Sequence, residues 1–299
     1  MKSAAPHLER DKSAVSRERS AEKGAVHASP LFCSANVSQH AAIFDLLHGT
    51  YSAYSHEDFT SWLEEPSYDP ADRVLLTINH ELVGHAHLTM RYVTFYGVRL
   101  PVALVREFAL RSEFRDSDLE AALLHHVEFA ASQRGAVAAL LCGRGIRHSL
   151  HASWHSLPGR GYSSADPQVV LSRLQERPAE FVRRGRGSRI GLWRRMDLDG
   201  LMSLYAADAS TRWGSIVRNE AYWQWLLSLP THDAVIVATV ARNRRSSREL
   251  HPPLIGYAIT KRHHVLEVVT MQDGDGQRLL ARLCRDAVER GDHTITLHT

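Results

Sequence analysis

Apolar and polar positions follow two periods along this chain, and the order in which the periods change is repeated. LFCS reads as a short strand. After the polar break ANVSQ, helical spacing puts Ala42, Ile43, Leu46 and Leu47 on one inward face. Strand patterns follow at Arg73–Ile78 and Leu82–Met90, the second alternating through GHAHLTM, and Pro101–Leu110 is a further apolar stretch. LEAALLHHVEFAASQ predicts a strongly apolar helix over Asp118–Gln133, stopped by Gly135, and AVAALLC then reads as a buried strand.

The second half runs through the same order. IGLWRR is a strand pattern and MDLDGLMSLY a helix with an acidic first turn. DAVIVATVAR, LIGYAIT and HHVLEVVT are strands, GQRLLARLCRDAVER is a helix stopped by Gly291, and HTITLHT begins a last buried strand. Leu123–Leu124 and Leu279–Leu280 stand 156 residues apart, as do Gly135 and Gly291, and Glu107 and Glu267 stand 160 apart. Two copies of one unit are therefore expected. The predicted division is a disordered tail over 1–30, a first unit over 31–166, an Arg-rich linker over 167–187 and a second unit over 188–299. By the same offset Cys142 corresponds to His298, so the second unit is expected to lack the helix and strands that close the first.

Composition narrows the class. With 44% apolar and 23% charged residues, the 299-residue chain can bury sizeable cores. A net charge of +3 is too small to argue for a nucleic-acid or membrane partner, although 173–195 holds eight arginines against two glutamates. That run reads most simply as a solvated connector, with anion binding as the alternative. No apolar run approaches the roughly 18 residues of a membrane span, and the first residues carry no apolar signal segment. Cys33, Cys142 and Cys284 form neither a disulfide framework nor a zinc knuckle, which leads us to expect a reduced, cytoplasmic protein.

Chemistry-bearing patterns are few. His148, His151 and His155 share one face if helical, and His85 and His87 share one face of a strand. Without a cysteine or carboxylate beside them, we expect no metal site. Gly-x-Ser-x-Gly, His-Glu-x-x-His and Walker-type patterns are absent from the sequence. Trp193, Trp213, Trp223 and Trp225 read as core and helix-packing residues.

The order of elements resembles the GNAT acyltransferase superfamily. EEPSYDPADRVLLTINHELVGHAHL looks like its first hairpin, and LVREFALRSEFRDSDLEAALLHHVEFAASQRGA like its long fourth strand, pyrophosphate loop and following helix. LMSLYAADASTRWGSIVRNEAYWQWLLSLPTHDAVIVA looks like the second half of tandem GNAT proteins related to the enhanced-intracellular-survival acetyltransferases. The resemblance implies an α/β fold of two units, each a mixed, mainly antiparallel sheet flanked by helices. It also implies transfer of an acetyl or related acyl group from CoA, as co-substrate, to a small-molecule or peptide amine.

In that family a loop of the type Arg-Gly-x-Gly-x-Gly/Ala holds the CoA pyrophosphate on backbone N–H groups at a helix start. The matching residues are Arg115, Asp116, Ser117, Asp118, Leu119 and Glu120, with acids at all three Gly/Ala positions. Acids favour the helix start by ~0.3–1 kcal/mol each, but a like charge ~4 Å from a phosphate costs about 4 kcal/mol at an effective dielectric of 20. Cofactor binding and a well-capped helix start are both open readings. The second loop, Met271–Gly276, keeps Gly274 and Gly276. The resemblance further implies pantetheine binding along Phe108, Ala109 and Leu110, Glu107 as base, and His155 or Tyr162 as acid. A surface strand glutamate is the plainer reading of Glu107. Acetyl transfer and a catalytically inactive binding or scaffold protein remain the two functions to separate.

Overall fold

The computed structural model describes residues 29–115, 118–141, 154–155, 162–176, 188–241 and 252–298. Its first half contains Leu31–Ser34 (β1), His40–Thr50 (α1), His56–Leu63 (α2), Arg73–Ile78 (β2), Glu81–Phe95 (β3), Val98–Leu110 (β4), Asp118–Gln133 (α3) and Ala138–Leu141 (β5). Tyr162–Ala165 (β6) and Pro167–Glu176 (α4) follow. The second half contains Ser188–Leu192 (β7), Leu198–Thr211 (α5), Ser215–Ile216 (β8), Glu220–Ser228 (α6), Ala234–Val240 (β9), Leu254–Lys261 (β10), His264–Thr270 (β11), Asp273–Arg290 (α7) and Ile295–His298 (β12).

Local chemistry sets many of these boundaries. Ser55 and Asp58 form a reciprocal capping box that starts α2, and Asn219 accepts the Tyr222 amide at 2.8 Å to start α6. Gly291 takes the left-handed conformation that ends α7, as Gly135 does after α3. Asn79–His80 and Tyr96–Gly97 all have positive φ, which matches tight two-residue hairpin turns and lets β2, β3 and β4 fold directly against one another.

Among the described residues, two six-stranded sheets result. The first has the order β1-β2-β3-β4-β5, with β8 reaching across from the second half to pair with β3 at Val93 and Thr94. The second has the order β6-β12-β11-β10-β9-β7. In each, the pairing is antiparallel except where the strand before the long helix meets the strand after it: β4 with β5, and β11 with β12. Leu123, Leu124 and Val127 of α3 pack on one face of the first sheet, and Ile43, Leu46 and Leu47 of α1 pack with Leu75 and Ala109 on the other. The second sheet is covered by Leu201, Leu204 and Trp223 on one face and by Leu279, Leu283 and Val170 on the other.

Three expectations change. Tyr162–Ala165, placed by sequence in the first unit, pairs instead with β12 as an edge of the second sheet, and α4 packs along α7. Among the described residues the second sheet therefore has as many strands as the first, and it draws an edge strand from residues upstream of β7. Sequence proximity favoured the first unit, whereas the exposed edge of β12 offered the unpaired backbone groups. Trp213 is 60% exposed rather than core, while Trp223 and Trp225 are buried. The third change is one of extent: β3 and β4 run on through the Tyr96–Gly97 turn, well past the expected strand at Leu82–Met90. The His148, His151 and Cys142 positions, the 1–28 part of the tail and the 177–187 part of the linker lie outside the described residues.

Candidate functional site

β4 is interrupted at Glu107. The β3 ladder matches His85 with Ala109 and then His87 with Arg106, so the strand bulges between them. Glu107 has φ 51°, the left-handed region that a non-glycine residue enters only where its surroundings over-determine it. Those surroundings are specific. The Arg73 guanidinium donates to Glu107 Oε2 at 2.7 Å, the Tyr54 hydroxyl donates to Oε1, and His87 Nδ1 stands 3.7 Å from Oε2. His85 Nδ1 bonds the Glu107 carbonyl at 2.9 Å, and its other ring nitrogen faces Arg73 at 3.2 Å.

Burial and charge act together here. Both histidines are buried. Desolvation, reinforced by Arg73, pushes the His85 imidazole down to about 3, and the same two causes hold His87 well below its usual value. Both are neutral at physiological pH. Burial and the Glu107 charge raise the Tyr54 and Tyr51 hydroxyls, so both stay protonated. A second buried group, Glu65 with Arg91 and Arg106, lies beside it, with the Arg106 guanidinium 3.9 Å from the Trp62 ring centre.

Beyond the bulge, β4 has no strand partner on its second side among the described residues. The parallel pairing with β5 runs from Val102 with Ala138 to Val105 with Leu141 and stops there among the described residues. The Arg111 amide bonds Val83 O at 2.9 Å on the β3 side. By the alternation of an antiparallel ladder, Phe108 and Leu110 turn their backbone groups the other way. On that side the Tyr51 hydroxyl donates to Phe108 O, and the Thr50 hydroxyl reaches Leu110 O at 3.5 Å. The side chains of Phe108, Ala109 and Leu110 are buried, so only their backbone can meet a ligand.

The loop after β4 is described on either side of Asp116 and Ser117. Ser112–Phe114 forms a tight turn, Phe114 packs on the core, and Arg115 is exposed with its Nε 3.4 Å from Leu110 O. Asp118 is exposed, Leu119 packs on the core and Glu120 is buried, all in the first turn of α3. Asp116 and Ser117 lie outside the described residues. In the second half, Gly274 and Gly276 fall inside the first turn of α7, where the amides of Asp275 and Gly276 bond Gln272 O. A Cβ on Gly276 would make only ordinary contact with Thr270.

The expected acids are not gathered at Glu107. His155 is exposed, beside a Trp154 whose indole donates to Glu128 of α3, and no contact among the described residues joins it to Glu107. Tyr162 opens β6, its backbone paired with His298 in the second sheet. That register removes the ground for reading it as the acid of the first unit. Tyr54, Arg73 and Tyr51, which do meet β4, carried no motif. Their spacing in sequence from Glu107 is long, and only the sheet brings them there.

The second half has a counterpart. Glu267 of β11 accepts two bonds from Arg218, at 2.9 and 2.6 Å, and one from the Tyr257 hydroxyl. Arg218 lies 4.0 Å from the Tyr205 ring centre and 5.0 Å from that of Trp223.

No family model matches the chain, and no curated protein does. Solved structures do. A GCN5-related N-acetyltransferase from Kribbella flavida superposes with a TM-score of 0.63 at 14% identity, over 92% of this chain and 65% of that one. The fold is that of the GCN5-related N-acetyltransferases. A second such protein, from Anabaena variabilis, superposes with a TM-score of 0.60 at 13% identity, over 90% and 65%. Saccharomyces cerevisiae N-myristoyltransferase with bound myristoyl-CoA gives 0.63 at 12%, over 98% and 82%. The chain thus spans 65% of the length of the two bacterial proteins.

Proposed function

We propose that this protein transfers an acyl group, acetyl in the simplest case, from a CoA thioester to an amine on a small molecule or peptide. The first half would carry the reaction and the second, a repeat of the same unit in the manner of tandem GNAT proteins, would scaffold the acceptor side. One observation carries the reading: past the bulge, the Phe108 and Leu110 backbone faces the side where, among the described residues, pairing with β5 stops at Leu141. That is a place for the amide-bearing arm of CoA, while Arg115 stands at the start of the loop matching the pyrophosphate loop. The fold shared with an acyltransferase that holds myristoyl-CoA supports the same class of donor.

In this reading the amine nitrogen attacks the thioester carbonyl carbon, a C–N bond forms, and the C–S bond breaks. Glu107 accepts the ammonium proton, held in place by Arg73 and Tyr54. The departing thiolate takes a proton from Tyr51, the hydroxyl that donates to Phe108 O of β4. His155 and Tyr162 do not share these contacts. Asp118 and Glu120 work against a pyrophosphate, and this favours the second reading, a GNAT-fold protein that binds or scaffolds without catalysis.

Isothermal titration of acetyl-CoA, with myristoyl-CoA in a parallel arm, separates the two. Saturation near one per chain, tightened by Asp118→Gly and unchanged by Gly274→Asp, is the expected result. No heat at millimolar cofactor, from a chain shown to be folded by circular dichroism, would leave the scaffold reading standing.

A further inference from the structure

α2 lies between the two halves and touches both. On one side its Phe59 packs into the core under α1, with the Arg73 guanidinium 4.8 Å from the ring centre and the Tyr54 ring centre 6.5 Å away. Arg73 and Tyr54 are the groups that hold the two oxygens of Glu107. Further contacts of α2 come from the second half. Lys261 Nζ stands 2.9 Å from Asp58 Oδ1, the Trp225 indole donates to Ser61 O at 2.9 Å, and the Trp225 ring lies 5.2 Å from that of Trp62. Asp58, Ser61 and Trp62 fall at i, i+3 and i+4, one face of the helix.

The first turn of α2 carries this anchorage towards Glu107. Asp58 Oδ2 accepts the Ser55 hydroxyl at 2.8 Å, and the Asp58 amide donates to Ser55 Oγ at 3.0 Å, so one carboxylate meets both Lys261 and the helix cap. Ser55 directly follows Tyr54, whose amide bonds Tyr51 O at 2.8 Å and whose carbonyl accepts from His48 Nδ1 at 2.9 Å. The segment between α1 and α2 thus presents two tyrosines to β4, Tyr51 at Phe108 O and Tyr54 at the Glu107 carboxylate. Lys261 is itself fixed at the end of β10. It pairs opposite His264 and precedes Arg262, whose φ of 55° belongs to the tight turn into β11.

We infer that Lys261 is a positioning residue for the first half: through Asp58 and the start of α2 it keeps the Tyr54 hydroxyl on Glu107. Trp225 fixes the other end of the same helix. An ion pair whose side chains are 38% and 24% exposed adds little to global stability, so holding the fold together is a weak account of it. What the pair supplies is direction, because the carboxylate it engages also caps the helix that follows Tyr54. The consequence for reaction rate rests on the acyl-transfer reading. The hold on Tyr54 does not.

The test is fluorine NMR of the full chain carrying meta-fluorotyrosine, with the Tyr54 resonance assigned by its loss in Tyr54→Phe. Lys261→Met should shift or broaden that resonance, and Lys261→Arg should restore it. The Tyr205 resonance, assigned in the same way, should stay in place in both, and the urea midpoint of Lys261→Met should stay close to that of the parent chain. An unmoved Tyr54 resonance, or Tyr54 and Tyr205 resonances that move together, would overturn the inference. A second arm follows CoA thiol release from acetyl-CoA, with spermidine and a lysine-bearing peptide as acceptor probes. Lys261→Met should lower kcat roughly 10-fold, short of the ~10²-fold that a 1 Å misplacement can cost, with KM for acetyl-CoA unchanged. In a Tyr54→Phe chain it should lower kcat by less than ~2-fold further, since the group it positions is gone. Equal losses in the two backgrounds would overturn the inference as well. A parent chain that releases no more CoA than Glu107→Gln counts against the acyl-transfer reading instead, and the fluorine spectra then decide whether Lys261 holds Tyr54.

Discussion

Glu107 and Glu267 stand on equivalent strands of the two halves, and each accepts a tyrosine hydroxyl and an arginine. The similarity ends there. Arg73 reaches Glu107 from the neighbouring part of the same sheet, with its side chain 0% exposed, and the Glu107 backbone is left-handed at a bulge. Arg218 reaches Glu267 from the loop before α6, bonds both carboxylate oxygens and packs over aromatic rings. Glu267 also borders a bulge, where the β10 register shifts between Ile259 and Thr260, but it does not take the left-handed conformation. Burial works against the Arg218 charge, yet the Glu267 bonds outweigh it and raise its pKa, while burial lifts the Tyr205 hydroxyl to about 12. The second carboxylate is thus closed in a bidentate, aromatic-walled pair. The first is held in a costly left-handed conformation, which its buried partners over-determine.

Substitution at the two carboxylates should give the widest split. Under the acyl-transfer reading, Glu107→Gln lowers the rate of CoA thiol release by ~10²–10⁴-fold, the range of a general base. Glu267→Gln should leave that rate within a few-fold, and equal losses would break the comparison. Stability should separate the arginines next. Arg73→Ala leaves Glu107 buried and unpaired, for a loss of ~3–5 kcal/mol in urea unfolding. Arg218→Ala should cost about half as much, because the Arg218 and Glu267 side chains are 13% and 23% exposed and water can reach them.

Acid should then act mainly on the first half. His85 and His87 have folded pKa values below their unfolded ones, so the unfolded chain binds more protons in the intervening range. Their contribution is fully present above about pH 6.5 and is lost as pH falls toward about 3, the folded value for His85. Both groups act in the same direction, each withdrawing stability as it takes up its proton. Urea unfolding between neutral pH and pH 4 should show that loss, and His85→Gln should lessen it; the second half has Tyr257 at this position, although burial lowers His232 there too. The smallest effect concerns the paired glycines. A Cβ on Gly84 would sit 3.1 Å from Leu76, and one on Gly256 3.0 Å from Thr270 and 3.2 Å from the Val269 carbonyl. Ala at either should cost about 1 kcal/mol in thermal unfolding, with Gly256 the more sensitive because backbone yields less than a leucine.

Much of the fold was legible in the pattern of side chains. The strands at Arg73–Ile78, Ala234–Val240 and Leu254–Lys261, and the helices ended by Gly135 and Gly291, follow local rules that act over a few residues. α2 and α6 were not anticipated, because their short polar and aromatic segments, HEDFTSWL and EAYWQWLLS, lack a clear apolar stripe and depend on contact between halves. Trp225 of α6 stacks near Trp62 of α2 and donates its indole N–H to Ser61 O at 2.9 Å. Glu107 stood out by its strand position and its partner at Glu267. Tyr54 and Arg73 did not, since nothing local marks a tyrosine or arginine as the group that will close on a distant carboxylate.

The sequence by itself determined the repeated order of strands and helices, the long helix after each carboxylate-bearing strand, and the acids at the start of the first of those helices. Periodicity and capping act within a segment and need no knowledge of its neighbours. Only the tertiary structure decided that β6 closes the second sheet and that β8 crosses to the first. It also decided the bulge at Glu107 and the arginine, tyrosine and histidines that hold it. Those outcomes depend on which unpaired edge a strand finds and which buried charge finds a partner, and both are settled by long-range packing rather than by any stretch of residues read alone.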